Sequence, residues 1–112
     1  ELGPELTGTG DAELFAYFPG NFESSVAKVS KTTGQNEQAW AIPTLTGQTW
    51  AWAFAHWGGE FFIFVTYDDG WNSISQVRRF DRTTGLVDVA VESHPYRIVG
   101  AGVSTCAPTI MD

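Results

Sequence analysis

Apolar and polar residues alternate along this chain in short bursts, separated by turns rich in Gly, Pro and Thr. The clearest burst runs from Trp50 to Trp57. In an extended chain Trp50, Trp52, Phe54 and His56 fall on one side, and Ala51, Ala53, Ala55 and Trp57 on the other. Gly58-Gly59 then predicts a tight hairpin into a second strand, Glu60 to Tyr67, whose Phe61 to Val65 portion is apolar on both faces. Ahead of this pair the pattern predicts strands over 12–18, 25–30 and 38–42, preceded by an extended polar lead-in over 1–10. Beyond it, strands are predicted over 75–81, 86–92 and 97–103, followed by a tail with few ordering signals. No stretch has helical periodicity, so the expectation is an all-β chain of eight strands.

The chain also repeats itself. Ser25-Val26-Ala27-Lys28-Val29-Ser30-Lys31-Thr32-Thr33-Gly34 returns as Gln76-Val77-Arg78-Arg79-Phe80-Asp81-Arg82-Thr83-Thr84-Gly85. An aromatic run precedes each copy, Glu13-Leu14-Phe15-Ala16-Tyr17-Phe18 and Glu60-Phe61-Phe62-Ile63-Phe64-Val65. A period of this size signals one supersecondary unit used twice, burying its apolar faces by stacking on a neighbour. The expectation is one domain over 1–112, with repeat 1 about 12–57 and repeat 2 about 60–106, each a four-stranded antiparallel sheet. In each copy the turn ends in Gly, which reaches positive φ without steric cost. Ser30 or Asp81 at its first corner is placed to accept from backbone amides two or three residues on.

Composition narrows the function classes. Eight Phe, five Trp and three Tyr with twelve Gly suit β structure and turns. The net charge of -7 argues against nucleic acid, whose phosphates need a basic surface. It also disfavours an anionic membrane surface, and the apolar run Phe61 to Thr66 is far too short to span a bilayer, so no membrane insertion is expected. The basic residues after position 70, Arg78, Arg79, Arg82 and Arg97, are expected to form surface pairs with Asp81, Asp88 and Glu92. Scarce Lys, acidity and abundant Thr, Gly and Trp lead to the expectation of a secreted or cell-surface protein. Cys106 is alone, and is either a buried apolar residue or half of a bridge to another segment or chain.

An aromatic strand, a strand ending in Asp81-Arg82-Thr83-Thr84-Gly85, a further strand and then a small-residue strand resembles a blade of β-propeller proteins of the D-x-x-T-G type, quinoprotein-like and related bacterial surface propellers. The closing stretch Ile98 to Pro108 is similar to the C-terminal end of uncharacterised secreted bacterial propeller-like proteins. The resemblance covers about 12–106, and the first copy departs from it by carrying Ser30 in place of the Asp. It implies blade-like sheets. No residues match a quinone site, so no activity or cofactor follows from it. Read as blades, the chain would open with three outer strands, contain one complete blade over 50–92, and close with the innermost strand of another. Two blades cannot close a ring. Either the chain is part of a larger ring, or copies assemble as a homo-oligomer, or the two sheets pack face to face as a β-sandwich.

Candidate chemistry is thin. Asp68 and Asp69 are adjacent in a loop with Gly70, so on an extended chain they point apart and a shared acid pair is not expected. The spacing of Asp68, Asp69 and Asn72 does not match a calcium loop. His56 and His94 have no Cys or His at zinc-ligand spacing. His56 reads as a hydrogen-bonded core or channel-lining residue, and His94-Pro95 as a turn. Ser104-Thr105-Cys106 lacks an oriented base. The chain is therefore expected to be non-catalytic, with no metal and no cofactor. The functional lead is aromatic. Trp57 and Trp71 fall at loop edges, where flat rings bind sugars or apolar partners, and Asp68 and Asp69 could take sugar hydroxyls. Two functions are expected on this basis: a structural or interaction module that self-assembles through sheet edges and apolar faces, or a glycan-binding module using Trp57, Trp71, Asp68 and Asp69. Protein or glycan partners follow accordingly.

Overall fold

A computed structural model describes residues 3–20, 23–42, 49–68, 70–102 and 108–110. The described residues form two four-stranded antiparallel sheets and no helix. The first contains β1 (Glu5–Gly8), β2 (Leu14–Phe18), β3 (Ser24–Val29) and β4 (Asn36–Ile42) in sequence order. The second contains β5 (Thr49–Trp57), β6 (Glu60–Asp68), β7 (Ser73–Asp81) and β8 (Leu86–His94), again in sequence order. Both are meanders, the topology that short turns between sequential antiparallel strands produce.

Three sequence expectations need correction. The lead-in is not merely extended: Glu5, Leu6, Thr7 and Gly8 pair with Tyr17, Ala16, Phe15 and Leu14 to form β1. With a single apolar residue it carries no strand signal of its own, and pairing makes it a strand. Residues 97–102, expected in a final strand, are irregular; small residues alternate there without a described strand to pair with. The first sheet is consequently complete rather than three outer strands, and sheet boundaries fall at 5–42 and 49–94 instead of 12–57 and 60–106. β5 opens the second sheet. Cys106 lies outside the described residues.

The turns behave as their residues dictate. Gly58 and Gly59 both take positive φ, 61° and 85°, giving the two-residue hairpin that matches strand twist. The two repeated turns have the same geometry. Gly34 and Gly85 each sit at φ 73°, and each donates its amide to the carbonyl of the corner residue, Ser30 or Asp81, at 2.8 Å. Asp81 Oδ1 accepts from the Thr83 amide at 2.8 Å, while Ser30 Oγ accepts from both Thr32 and Thr33 at 3.2 Å.

The sheets stack face to face, with β2 over β5 and β6 and β4 over β7. β1 and β5 run side by side. Phe15 of β2 meets Phe61 of β6 with ring centroids 4.6 Å apart, and Trp40 of β4 meets Phe80 of β7 at 5.6 Å. Val26, Ile42, Phe54, Ile63 and Val65 complete this buried layer. Trp52 and Phe54 lie on the core face of β5, as the alternation requires. Burying aromatic side chains of this size stabilises a fold by about 3 kcal/mol each.

Candidate functional site

Side-chain alternation gives every strand a second face, and no described strand covers that face on either sheet, although its smaller residues Ala16, Ala27, Ala53 and Val77 are buried. On the second sheet the outward side of β5–β8 presents Ala55, Trp57, Phe62, Phe64, Val77 and Val91. Phe62 and Phe64 are half-buried, Trp57 and Val91 are exposed. A groove of about 600 Å³ opens at the hairpin end of this face, lined by Trp57, Glu60, Phe62, Arg79 and Asp81 among others. On the first sheet the outward side of β1–β4 presents Leu6, Leu14, Ala16, Phe18, Ala27 and Val29. It holds a groove of about 390 Å³ bounded by Lys31 and Asn36.

Charges mark the edges of these faces. Arg79 makes a bidentate contact with Asp88, Nε to Oδ1 at 3.1 Å and Nη2 to Oδ2 at 2.6 Å, and its Nε lies 3.6 Å from Glu60. The guanidinium holds the Asp88 carboxyl below the usual carboxylate range. Between the sheets, Glu13 pairs with Lys28 on its own sheet at 3.3 Å and with Arg82 of the other. Arg82, expected in a local surface pair, instead bridges the two sheets and lies 5.1 Å from the centre of the Phe15 ring. Hydrogen bonding from Arg82 is the largest influence lowering the Glu13 carboxyl, and Thr9 does the same for Asp11. Arg78 is also not a simple surface charge. It is partly buried, donates to Gln76 Oε1 at 2.9 Å, and burial pulls its pKa down.

The sequence-derived residues do not converge. Trp57 ends β5 at the Gly58-Gly59 hairpin and is 50 % exposed, whereas Trp71 lies in the β6–β7 loop and is 92 % exposed. These positions are at opposite ends of the nine-residue strand β6, about 25–30 Å apart at the rise of an extended chain. Asp68 shares the loop with Trp71, but its Oδ1 accepts from the Gly70 amide at 3.0 Å and closes the turn. Asp69 lies outside the described residues. A single sugar site built from Trp57, Trp71 and Asp68 is therefore not assembled. Trp57 has other polar neighbours, Glu60, Arg79 and Asp81, which sequence inspection missed. The signal was available in register: Glu60 opposes Trp57, and Arg79 opposes Phe62.

His56 is 1 % exposed against Phe61, with ring centroids 4.9 Å apart. Its Nδ1 is buried without a hydrogen-bond partner among the described residues, so the expected core placement holds and the expected hydrogen bond does not at that atom. Burial, then the nearby Arg82 charge, pushes its pKa below 6.5. Among the described residues no three His, Cys, Asp or Glu side chains gather to hold a metal ion, and no helix is long and apolar enough to cross a membrane. No protein-family model matches the chain, and no curated protein matches it either.

Proposed function

We propose that the protein is a non-catalytic interaction module of a secreted or cell-surface bacterial protein, and that its two outward sheet faces bind further β-sheets of the same kind. The observation that carries this reading is the row of partly exposed apolar side chains on each outward side, Leu6, Leu14 and Phe18 on one sheet and Trp57, Phe62, Phe64 and Val91 on the other, with no described strand over them. Isolated apolar residues on a surface need no explanation, but contiguous rows on two opposite faces mark an interaction surface. Face-to-face stacking of sequential four-stranded meanders is what blade-shaped sheets do around an axis, and the D-x-x-T-G turn supports the same reading. The scarce Lys and acidic, Trp-rich composition is what supports an extracellular setting.

Faces are better placed than edges to make the contact. The outermost strand β8 carries Asp88 and Glu92 and has register shifts between Ser75 and Val77 and between Val77 and Arg78. Charges and bulges of this kind discourage edge-to-edge pairing. The test is sedimentation velocity from low micromolar to several hundred micromolar protein. Species heavier than the 12.3 kDa chain should grow with concentration. A single monomeric boundary throughout would refute the reading.

A second reading rests on the Trp57 groove, where an exposed indole lies near Glu60 and Asp81. Such a pairing suits a sugar ring and its hydroxyls. Titration with a panel of oligosaccharides should then quench tryptophan fluorescence in the wild type and not in Trp57→Ala; no quenching by any sugar removes this reading.

A further inference from the structure

The outward faces are repeat copies of the inward ones. Alignment of the two repeats makes Phe15 equivalent to Phe62, Tyr17 to Phe64, Val26 to Val77 and Lys28 to Arg79. The register agrees: Phe15 opposes Lys28 as Phe62 opposes Arg79, and Tyr17 opposes Val26 as Phe64 opposes Val77. The first member of each pair faces the interior, the second faces out. The converse holds for Leu14 and Val29, which are half-buried on the outward face, and their counterparts Phe61 and Phe80, which are fully buried; Ala16, equivalent to Ile63, is buried although it faces outward. The outward face of the second sheet thus copies the surface the first sheet presents inside. The outward face of the first sheet corresponds in position to the surface the second presents inside, with smaller side chains at Leu14, Ala16 and Val29 and with Ala27 in the place of Arg78.

The charges follow the same relation. Glu13 takes Lys28 from its own sheet and Arg82 from the facing sheet. Its repeat counterpart Glu60 takes Arg79 from its own sheet at 3.6 Å, the equivalent of Lys28; among the described residues no second sheet lies beyond it, and Ile110 shares its groove. The counterpart of Arg82 is Lys31, exposed at the rim of the other outward face.

From this we infer that the outward face of β5–β8 receives the outward face of β1–β4 of a second copy of this chain, head to tail, with Lys31 of the incoming copy on Glu60 and over Phe62. The inference rests on the self-assembly reading above and adds its partner, register and polarity. Charge complementarity and the match of repeated faces single out a second copy as the occupant. Described residues of the C-terminal segment lie near both ends of β5: Val99 lines a groove with Trp50 and Trp52, and the Gly58 amide donates to the Pro108 carbonyl at 2.9 Å. The contact accordingly uses β6–β8 of one copy and β2–β4 of the next. The interface is heterologous, so it propagates to a closed ring or an open stack rather than stopping at a two-fold dimer.

Charge reversal tests the register. Lys31→Glu alone and Glu60→Lys alone should each weaken assembly about tenfold in sedimentation velocity, since each opposes like charges. An equimolar mixture of the two variants should recover it, as should the double variant Lys31→Glu/Glu60→Lys. Should Glu60→Lys not fold, Glu60→Gln replaces it, expected to weaken assembly about threefold and to add nothing when Lys31→Gln is already present. Assembly unaffected by reversal, or no recovery on mixing, overturns the register while the self-assembly reading stands. A wild type that never assembles overturns both.

Discussion

Arg82 and its partners show how one side chain holds two sheets together. Its guanidinium accepts no hydrogen bond and cannot lose its charge near neutrality, so it is suited to a partly buried bridge between a carboxylate and an aromatic face. Arg82→Ala is expected to cost about 1–2 kcal/mol in urea unfolding, combining a half-exposed ion pair with a cation–π contact. The repeat counterpart Lys31→Ala should cost less than about 0.5 kcal/mol in the monomer, because its ammonium is exposed and donates only to the Ala12 carbonyl among the described residues. His56 makes a second residue-scale prediction. Its folded pKa lies below the unfolded 6.5, so the unfolded chain binds the extra proton first. Stability is then fully present above pH 6.5 and declines as the pH falls below it. His56→Leu should flatten that decline. A further loss below about pH 4.5, where Asp11, Glu13 and Asp88 are held low, should remain in the variant. Urea midpoints between pH 7.5 and 3 separate the two windows.

The elements are set by their turns. Gly34 and Gly85 have open space around a hypothetical Cβ, so Ala there suffers only the positive-φ penalty, about 1 kcal/mol each. A Cβ at Gly59 would lie 2.6 Å from the Thr109 carbonyl oxygen, so Gly59→Ala adds a collision to the same penalty. Thermal melts should rank Gly59→Ala as more damaging than Gly85→Ala; the reverse order would remove the C-terminal contact from the account. Strand existence was legible wherever alternation was backed by apolar residues: β5 and β6 are plain in the sequence, and β2, β3 and β7 nearly so. β1 was illegible because Glu5-Leu6-Thr7-Gly8 becomes a strand only by pairing with β2. Residues 97–102 alternate just as plausibly, yet a strand needs a hydrogen-bonded neighbour and the described structure provides none there.

At the scale of the molecule, equivalent residues have unequal roles according to which face is covered. Tyr17 is buried between the sheets at 3 % exposure, and its twin Phe64 lies half-buried on the outward face. Tyr17→Ser should lower monomer stability by about 3 kcal/mol. Phe64→Ser should act chiefly on assembly, read as the loss of concentration-dependent species in sedimentation with a smaller shift in the unfolding midpoint. Equal effects of both on unfolding, and none on assembly, would show that the outward face is only surface.

Sequence alone determined the all-β class, the twofold repeat, the turn positions and the two sides of β5, because period-2 alternation and glycine stereochemistry are local properties of the backbone. It also placed Trp57 and Trp71 near turns. What required tertiary structure was everything that depends on which face meets which: the completion of the first sheet by β1, the Glu13–Arg82 bridge, the separation of Trp57 from Trp71 along β6, and the exposure of one copy of a surface whose twin is buried. A repeated sequence specifies similar faces; only packing decides which of them meets a second sheet.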